Sequence, residues 1–373
     1  MNKKFLLLLI AALLLTLPFA PTRARAASGL PDSPQFGYGA RVDLQGSNID
    51  AAIQMLDDQQ LDWMALDFDW ARDWPDPAAS PNLGVLEQPV SLATQRGTSV
   101  MVSLCNPPQW ALSANGPDIN KTVEFVSMLA QQYSGRVLVI ELFPGANTQH
   151  GWGAAPNPEQ YLNLLNASRA AVQNMGSAIY IIPSLVPLDP GSSEIGIDDL
   201  EFLSTLYALG AKSSLSIVGI RYPETVGTPM TMPAPYERHV LRHYEEVRAV
   251  MLQNGHQDGR IWITGFSWAV GNTQHPNIDV LTLTDPAAQA EWLAQAYQLL
   301  KAQLYIGAAF FSQANPPPGP DSPSAYPSLL LADSTLHPAC QSITRVIQGE
   351  RISLPPSDML ERLKRQNKDS RMK

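Results

Sequence analysis

The sequence predicts an α/β fold, a single-domain (β/α)8 barrel with elaborated loops at the C-terminal face of its strands. Eight short runs rich in β-branched and aromatic residues alternate with longer helix-like segments, which is typical of parallel βαβ units. Eight strands suffice to close such a sheet. The connections after the strands are longer and richer in Pro, Gly and Trp than those before them, and in a barrel these loops form the functional face.

The predicted elements follow one another along the chain without repeats or low-complexity segments. A helix is expected at Asn48–Gln59, where Ser47 and Asp50 supply a cap and a first-turn acid. A second is expected at Tyr236–Asn254, where apolar residues recur at spacings of four, three and four. We predict strands at Phe36–Ala40, Trp63–Trp70, Ser99–Leu104, Val137–Phe143, Ile179–Leu185, Ser216–Tyr222, Ile261–Phe266 and Tyr305–Phe311.

The first 26 residues have the pattern of a secretory signal peptide. Lys3 and Lys4 precede the apolar run Phe5–Leu17, and Ala24-Arg25-Ala26 provides a small-residue cleavage site. The apolar run is shorter than the ~17–25 residues that span a bilayer. We therefore expect a secreted or extracytoplasmic protein with no transmembrane segment after signal cleavage.

The mature chain is expected to comprise the barrel, residues 27–349, and a basic, flexible C-terminal tail, residues 350–373. Its net charge changes from −9 to −13 when residues 1–26 are removed, which argues against nucleic acid as a partner. Two cysteines are too few for a disulfide-built scaffold. In this register Cys105 ends the third strand and Cys340 begins the last helix, so unpaired thiols are favoured over a disulfide.

Two stretches identify a more specific resemblance. They read Val137-Leu-Val-Ile-Glu-Leu-Phe-Pro-Gly-Ala-Asn147, followed by Trp152, and Gly259-Arg-Ile-Trp-Ile-Thr-Gly-Phe-Ser-Trp268. They resemble the ends of the fourth and seventh strands of clan A glycoside hydrolases, the TIM-barrel group of β-xylosidases, β-glucosidases and cellulase-like enzymes. In that group the stretches usually read Glu-Ile-Trp-Asn-Glu-Pro-Asn and Trp-Ile-Thr-Glu-Phe-Gly-Trp.

The resemblance implies that two glycines stand where the family has its catalytic residues. Gly145 takes the place of the acid/base glutamate and Gly265 that of the nucleophile. A retaining glycosidase needs two carboxyl groups roughly 5 Å apart, and glycine supplies none. Four further departures fall on positions that the family uses to hold the sugar and tune the glutamates: Asp69, Pro144, Arg221 and Ser312. The sequence thus predicts no catalytic residues of the family type and loss of the ancestral activity.

Three carboxylates remain near the predicted site. Glu141 lies four residues before Gly145, so strand alternation directs it into the barrel, where it is expected to pair with an arginine such as Arg221. Asp67 and Asp69 alternate inward in the same way. If all three share one interior, at least one should have a raised pKa or a cationic partner. This trio is the fallback source of a catalytic pair.

Other residues are candidates for binding. Aromatic side chains after strand ends can stack on sugar rings, although they also serve as loop packing. His239 and His243 have the i, i+4 spacing that can hold a metal, but no Glu follows the first His as in HExxH, and a packed helix face is favoured. No metal or other cofactor is predicted. The candidate substrate-binding residues are Trp110, Phe143, Asn147, Trp152, Arg221, Tyr222 and Trp268.

Three functions stay open on the sequence. The first is an inactive glycoside-hydrolase-like protein whose cleft binds a carbohydrate or an envelope protein. The second is an active hydrolase that uses Asp67, Asp69 or Glu141, and the third is a cell-envelope scaffold. Carboxyl groups facing each other across an open cleft would favour the second. An aromatic-lined cleft without such a pair would favour the first, and a filled cleft the third.

Overall fold

The computed structural model describes residues 27–189, 192, 194–235, 237–268, 286–316 and 328–353. The predicted signal peptide, residues 354–373 of the predicted tail, and residues 269–285 and 317–327, in the connections after the last two strands, lie outside these residues. Within the described ranges, none of the helices has the length and apolar character needed to cross a bilayer.

Eight parallel strands form a closed barrel, as predicted. Each strand pairs with the next one along the chain, and the last returns to the first with Ala308 beside Gly37. Observed and predicted bounds differ by at most two residues. The strands are β1 (Gly37–Val42), β2 (Trp63–Asp69), β3 (Ser99–Cys105), β4 (Val137–Leu142), β5 (Tyr180–Leu185), β6 (Ile217–Arg221), β7 (Arg260–Phe266) and β8 (Ile306–Phe311).

Helices surround the barrel in the described ranges. They are α1 (Ile49–Asp58), α2 (Trp70–Asp73), α3 (Gly84–Arg96), α4 (Ile119–Gln132), α5 (Gln149–Trp152), α6 (Pro158–Asn174), α7 (Asp199–Ala208), α8 (Tyr244–Gln253), α9 (Pro286–Lys301) and α10 (Pro338–Ile347). The first confirms a predicted helix. Its N-cap is Asn48, in a left-handed conformation and without a side-chain cap bond, so the expected cap at Ser47 is wrong.

The second predicted helix is only half correct. It was expected from Tyr236, yet α8 begins at Tyr244, and a single 3-10 turn, Leu241–His243, precedes it. The reason is a competing contact, because Val240 forms a parallel bridge with Val226 in the loop after β6. Apolar spacing does not reveal that this part of the segment is extended.

Two layers of side chains fill the barrel. Near the amino-terminal ends of the strands, Trp63, Trp262 and Phe310 pack together in an apolar cluster. The two indole Nε1–H groups donate to the carbonyls of Ser28 (2.7 Å) and Gly29 (2.9 Å), so the backbone before β1 closes this end. Above this layer the inward side chains become polar and connect to one another: Arg41, Asp67, Ser103, Glu141, Ser184 and Thr264.

Candidate functional site

A cleft of about 480 Å³ opens at the C-terminal ends of the strands. Arg41, Asp67 and Arg221 form its charged floor, while the loops after β4, β5 and β6 build its walls. Apolar wall residues include Pro144, Val186, Pro187, Leu188 and Pro223. Among the described residues, no side chain fills the cleft.

The two glycines are held in place by different constraints. Gly145 has a φ of 78°, donates its N–H to the Ser184 carbonyl at 2.8 Å, and would place a Cβ 3.0 Å from a methyl carbon of Val186. A side chain there requires a conformation that L-residues rarely adopt. At Gly265, in β7, a Cβ would lie 3.3 Å from Arg221 Cγ and 3.4 Å from Ser312 Oγ. Arg221 and Ser312, which both depart from the family pattern, therefore lie next to this second glycine.

Asp67 is the carboxylate at the floor of the cleft, and its side chain is 48% exposed. Arg221 Nη2 donates to both of its oxygens, at 2.7 and 2.9 Å, and Arg41 Nη2 donates to Oδ1. Partial burial opposes ionisation, but the two guanidinium groups outweigh it and hold the pKa of Asp67 well below its usual range. Asp67 is therefore an ionised hydrogen-bond acceptor throughout the neutral range.

Glu141 points into the barrel, as strand alternation predicted, and is fully buried. Its Oε2 accepts a hydrogen bond from Ser103 Oγ and lies 3.7 Å from Arg41 Nη1, while Oε1 has no partner among the described residues. The expected pairing with a barrel arginine is confirmed, but the partner is Arg41 rather than Arg221, which contacts Asp67 instead. Glu141 thus lies beneath the floor of the cleft.

Arg41 links both carboxylates and was missed on the sequence. It also donates to the Thr264 carbonyl (2.8 Å) and Ser103 Oγ (2.9 Å), so it joins β1 to β2, β3 and β7. The predicted strand Phe36–Ala40 ended one residue before Arg41. The available signal was that Arg41 is followed by apolar Val42 and lies two residues after Gly39, on the same face of the strand. Such a residue in a barrel strand needs a buried partner.

Asp69 does not turn into the barrel with Asp67, which corrects the alternation argument. It is the N-cap of α2, and its Oδ1 accepts from Arg72 N (2.9 Å) and Asn106 Nδ2 (3.0 Å). The strand ends here and the chain turns, so alternation no longer applies. We expected at least one of Asp67, Asp69 and Glu141 to have a cationic partner, and this is confirmed at Asp67.

A further carboxylate in the cleft wall, Glu194, was not singled out on the sequence.

Trp152 and Trp268 do not offer stacking faces to the cleft, which corrects the expectation for both. Neither has exposed surface, and their Nε1–H groups donate to the carbonyls of Asn115 and Gly227, each at 2.8 Å. Other aromatic rings meet them edge-on. Trp110 is partly buried against Trp70 and Trp74 and is not among the residues that line the cleft.

The remaining predicted binding residues divide into packing and lining groups. Phe143 is buried, and Asn147 joins two loops by accepting from Val186 N (3.0 Å) and donating to the Val186 (2.8 Å) and Ile197 (3.0 Å) carbonyls. Tyr222 lines the cleft, although its hydroxyl donates to the Leu241 carbonyl at 2.9 Å. The structure therefore brings only Arg221 and Tyr222 of the predicted binding set into the cleft.

The two histidines lie in different environments and do not share a ligand site. His243 is buried between Asp199 Oδ2 (2.6 Å from Nε2) and Glu246 Oε2 (2.7 Å from Nδ1). Burial opposes its charge, but hydrogen bonding to the two carboxylates raises its pKa to about 9. His239 contacts the Pro187 carbonyl at 3.1 Å, and burial lowers its pKa. Among the described residues no cluster of metal ligands is found.

The two cysteines are free, as favoured on the sequence. Cys105 lines the cleft, 3.7 Å from Asp67 Oδ1 and 3.8 Å from Arg221 Nη1. Burial, followed by the negative charge of Asp67, raises the pKa of its thiol far above the ordinary value. It is therefore a neutral thiol rather than a nucleophilic thiolate.

No protein-family model and no curated protein sequence matches this chain. Its fold is similar to that of a family 39 glycoside hydrolase from the gut symbiont Bacteroides cellulosilyticus WH2, with a TM-score of 0.62 and 16% identity over 83% of this chain and 62% of that one. It is also similar to a glucosidase from Croceicoccus marinus (TM-score 0.57, 16% identity, 79% and 63% of the two chains). A third similar structure is a GH1 β-glucosidase from Exiguobacterium antarcticum B7 (TM-score 0.54, 10% identity, 86% and 99%).

The chain spans about three-fifths of the length of the first two of these proteins. At identities of 10–16%, the similarity shows a glycoside-hydrolase-like barrel and nothing finer. The chemistry of this chain has to be argued from its own cleft.

Proposed function

We propose that this protein is an exported, glycoside-hydrolase-like barrel that does not cleave glycosides and instead binds carbohydrate in the cleft at its C-terminal face. The observation that carries the proposal is the state of Asp67. This carboxylate at the cleft floor is ionised between two arginines rather than free for chemistry.

Hydrolysis is disfavoured by the arrangement of the remaining acidic groups. A glycosidase needs one carboxyl group that can protonate the leaving oxygen and a second that attacks or activates water. Asp67 stays ionised and cannot give a proton, Glu141 is buried beneath the floor, and Asp69 caps a helix. Glu194, in the wall, accepts a hydrogen bond from the His150 backbone N–H at 3.1 Å. General acid–base assistance typically contributes 10²–10⁴-fold, so turnover should be close to background.

Sugar binding is supported by the openness and mixed polarity of the cleft. A polyhydroxylated ligand presents donors and acceptors together, and the floor offers an ionised carboxylate beside a guanidinium. Charge-assisted hydrogen bonds of this kind are about twice as strong as neutral ones. With Trp152 and Trp268 buried, affinity must come from these polar contacts more than from aromatic stacking, and we expect weak, reversible binding.

The test is a glycan array combined with a panel of chromogenic glycosides, both using the mature chain. We expect binding to a subset of glycans and no hydrolysis above background. Robust hydrolysis that is lost in Asp67→Asn or Glu141→Gln would overturn the proposal in favour of an active enzyme. No binding to any glycan would favour a protein-partner or scaffold role.

A gain-of-function variant tests the same proposal from the other side. Gly145→Glu combined with Gly265→Glu should not restore strong hydrolysis. The first position has a φ of 78°, which a side chain rarely adopts, and the second would place its carboxylate beside Arg221 and Ser312. Catalytic groups acting as a unit are strongly non-additive. High turnover in this variant would show that the surrounding site is still competent.

A further inference from the structure

The floor of the cleft contains hydrogen-bond donors that have no acceptor among the described residues. Arg221 contacts Asp67 through Nη2, while Nη1 meets the Cys105 sulfur at 3.8 Å. Within the described ranges, Arg221 Nε has no hydrogen-bond acceptor. The Ser312 backbone N–H donates to the Phe266 carbonyl, but its hydroxyl likewise has no partner in the described part of the chain.

These two donors lie on either side of the position from which a side chain is missing. An ideal Cβ at Gly265 would lie 3.6 Å from Arg221 Nε and 3.4 Å from Ser312 Oγ, so both atoms converge on one point. Arg221 and Ser312 also line the cleft, which makes them accessible to a ligand. Because Gly265 carries no side chain, β7 contributes nothing at that position to satisfy the two donors.

Two arginines and two carboxylates make the floor neutral, so the case for an anionic group rests on the N–H groups of Arg221 that have no acceptor among the described residues. Arg41 is engaged with Glu141, Ser103, Asp67 and the Thr264 carbonyl, whereas Arg221 has one carboxylate partner and unused N–H groups. A guanidinium matches a carboxylate in shape as well as charge. The negative charge of Asp67 weakens the attraction between Arg221 and a ligand carboxylate. It does not occupy the Nε–H group, because Asp67 accepts its hydrogen bonds from Nη2.

We propose that the ligand of this cleft carries a carboxylate, and that this group accepts hydrogen bonds from Arg221 Nε and Ser312 Oγ above Gly265. The inference rests on the proposed carbohydrate-binding function and specifies its ligand class as acidic sugars, such as uronic acids. The ligand's carboxylate then satisfies donors that no side chain of β7 satisfies.

The experiment is isothermal titration of the mature chain with D-glucuronate and D-galacturonate, with their neutral parents D-glucose and D-galactose, and with acetate. One charge-assisted hydrogen-bond pair predicts at least a tenfold preference for one of the uronates over its parent. Acetate reports binding of the carboxylate alone. The preference should also shrink as ionic strength rises.

Ser312→Ala and Ser312→Thr form the matched pair of variants. The first removes the hydroxyl and should weaken uronate binding about three- to tenfold without changing affinity for the neutral parent. The second keeps a hydroxyl and should retain most of the preference. Ser204→Ala removes a serine hydroxyl on α7, away from the cleft, and is the control that should leave both affinities unchanged. Thermal unfolding of each variant confirms that the barrel is intact.

The outcomes separate the two proposals. Equal affinity for a uronate and its neutral parent, unchanged in Ser312→Ala, would overturn the carboxylate site and leave carbohydrate binding standing. Acetate binding that is lost in Ser312→Ala, with no sugar bound, would support the carboxylate site and overturn the carbohydrate function. No binding of any of the five probes would overturn the carboxylate site, and the glycan array would then decide the function independently.

Discussion

The two ends of the barrel differ in polarity and in solvent access. The amino-terminal end is apolar and closed, with Trp63 and Trp262 buried and both indole N–H groups bonded to backbone carbonyls. The carboxyl-terminal end, in the part of the chain that the structure describes, is charged and open, with Asp67 and Arg221 facing the cleft. Burying aromatic area stabilises the first end, whereas desolvation destabilises the second unless every charge has a partner. The fold can therefore persist while the chemistry at the open end changes.

The largest effect is expected at the closed end. Trp262→Ala removes a fully buried indole and its hydrogen bond to Gly29, and should cost about 3–5 kcal/mol of unfolding free energy. Urea unfolding followed by circular dichroism measures this, with an unchanged m-value as the check for two-state behaviour. Trp110→Ala, at a partly buried position, is the matched control and should cost less than half as much. Equal losses would contradict the contrast between the ends.

The second effect concerns the charges of the open end. Arg41→Met leaves Glu141 buried without a cation and deprives Asp67 of one of two partners, which should cost about 3 kcal/mol. Adding Glu141→Gln removes the uncompensated charge, so the double variant should be more stable than Arg41→Met alone. Simple additivity of the two losses in a double-mutant cycle would show that the charges are not coupled.

The third effect is a pH dependence that comes from outside the barrel. His243 has a pKa of about 9 in the folded chain against 6.5 as its ordinary value. A raised folded pKa means that the stabilisation is complete below pH 6.5 and is lost as the pH rises through 9. The loss should be on the order of 1–3 kcal/mol.

Measuring unfolding free energy from pH 6 to 9.5 in the wild type and in His243→Gln tests this assignment. The variant should be less stable at pH 6 and its stability should vary little across this window. Asp67 has the opposite pH dependence. Its lowered pKa stabilises the folded chain near neutral pH, and this stabilisation is lost only as the pH falls well into the acid range. An unchanged alkaline slope in the variant would assign the titration to another group.

The fold was predictable because its signals are local. Buried parallel strands read as short continuous apolar runs, so all eight were placed to within two residues. The inward direction of Glu141 followed from alternation within one strand. Where a contact from elsewhere in the chain intervened, as Val226 does at Val240, the helix prediction was wrong.

The site was less predictable because it depends on pairings across the barrel. Which arginine reaches Glu141 is set by the stagger of the strands and the length of each side chain, so Arg41 could not be preferred from spacing alone. Asp69 was misplaced because the turn into α2 ends the alternation. Trp152 and Trp268 occupy positions shared with the family pattern, yet the pattern does not distinguish an exposed ring from a buried one.

The backbone before β1 has a practical consequence for measuring weak binding. Ser28 and Gly29 are held at the closed end by the two indole N–H groups, and a Cβ at Gly29 would lie 2.6 Å from the Gly307 carbonyl oxygen. A biotin or tag attached just ahead of Ser28 would thus emerge on the face opposite the cleft. Molecules immobilised through that point on a biosensor chip would all present the open end to the flowing solution, unobstructed by the support.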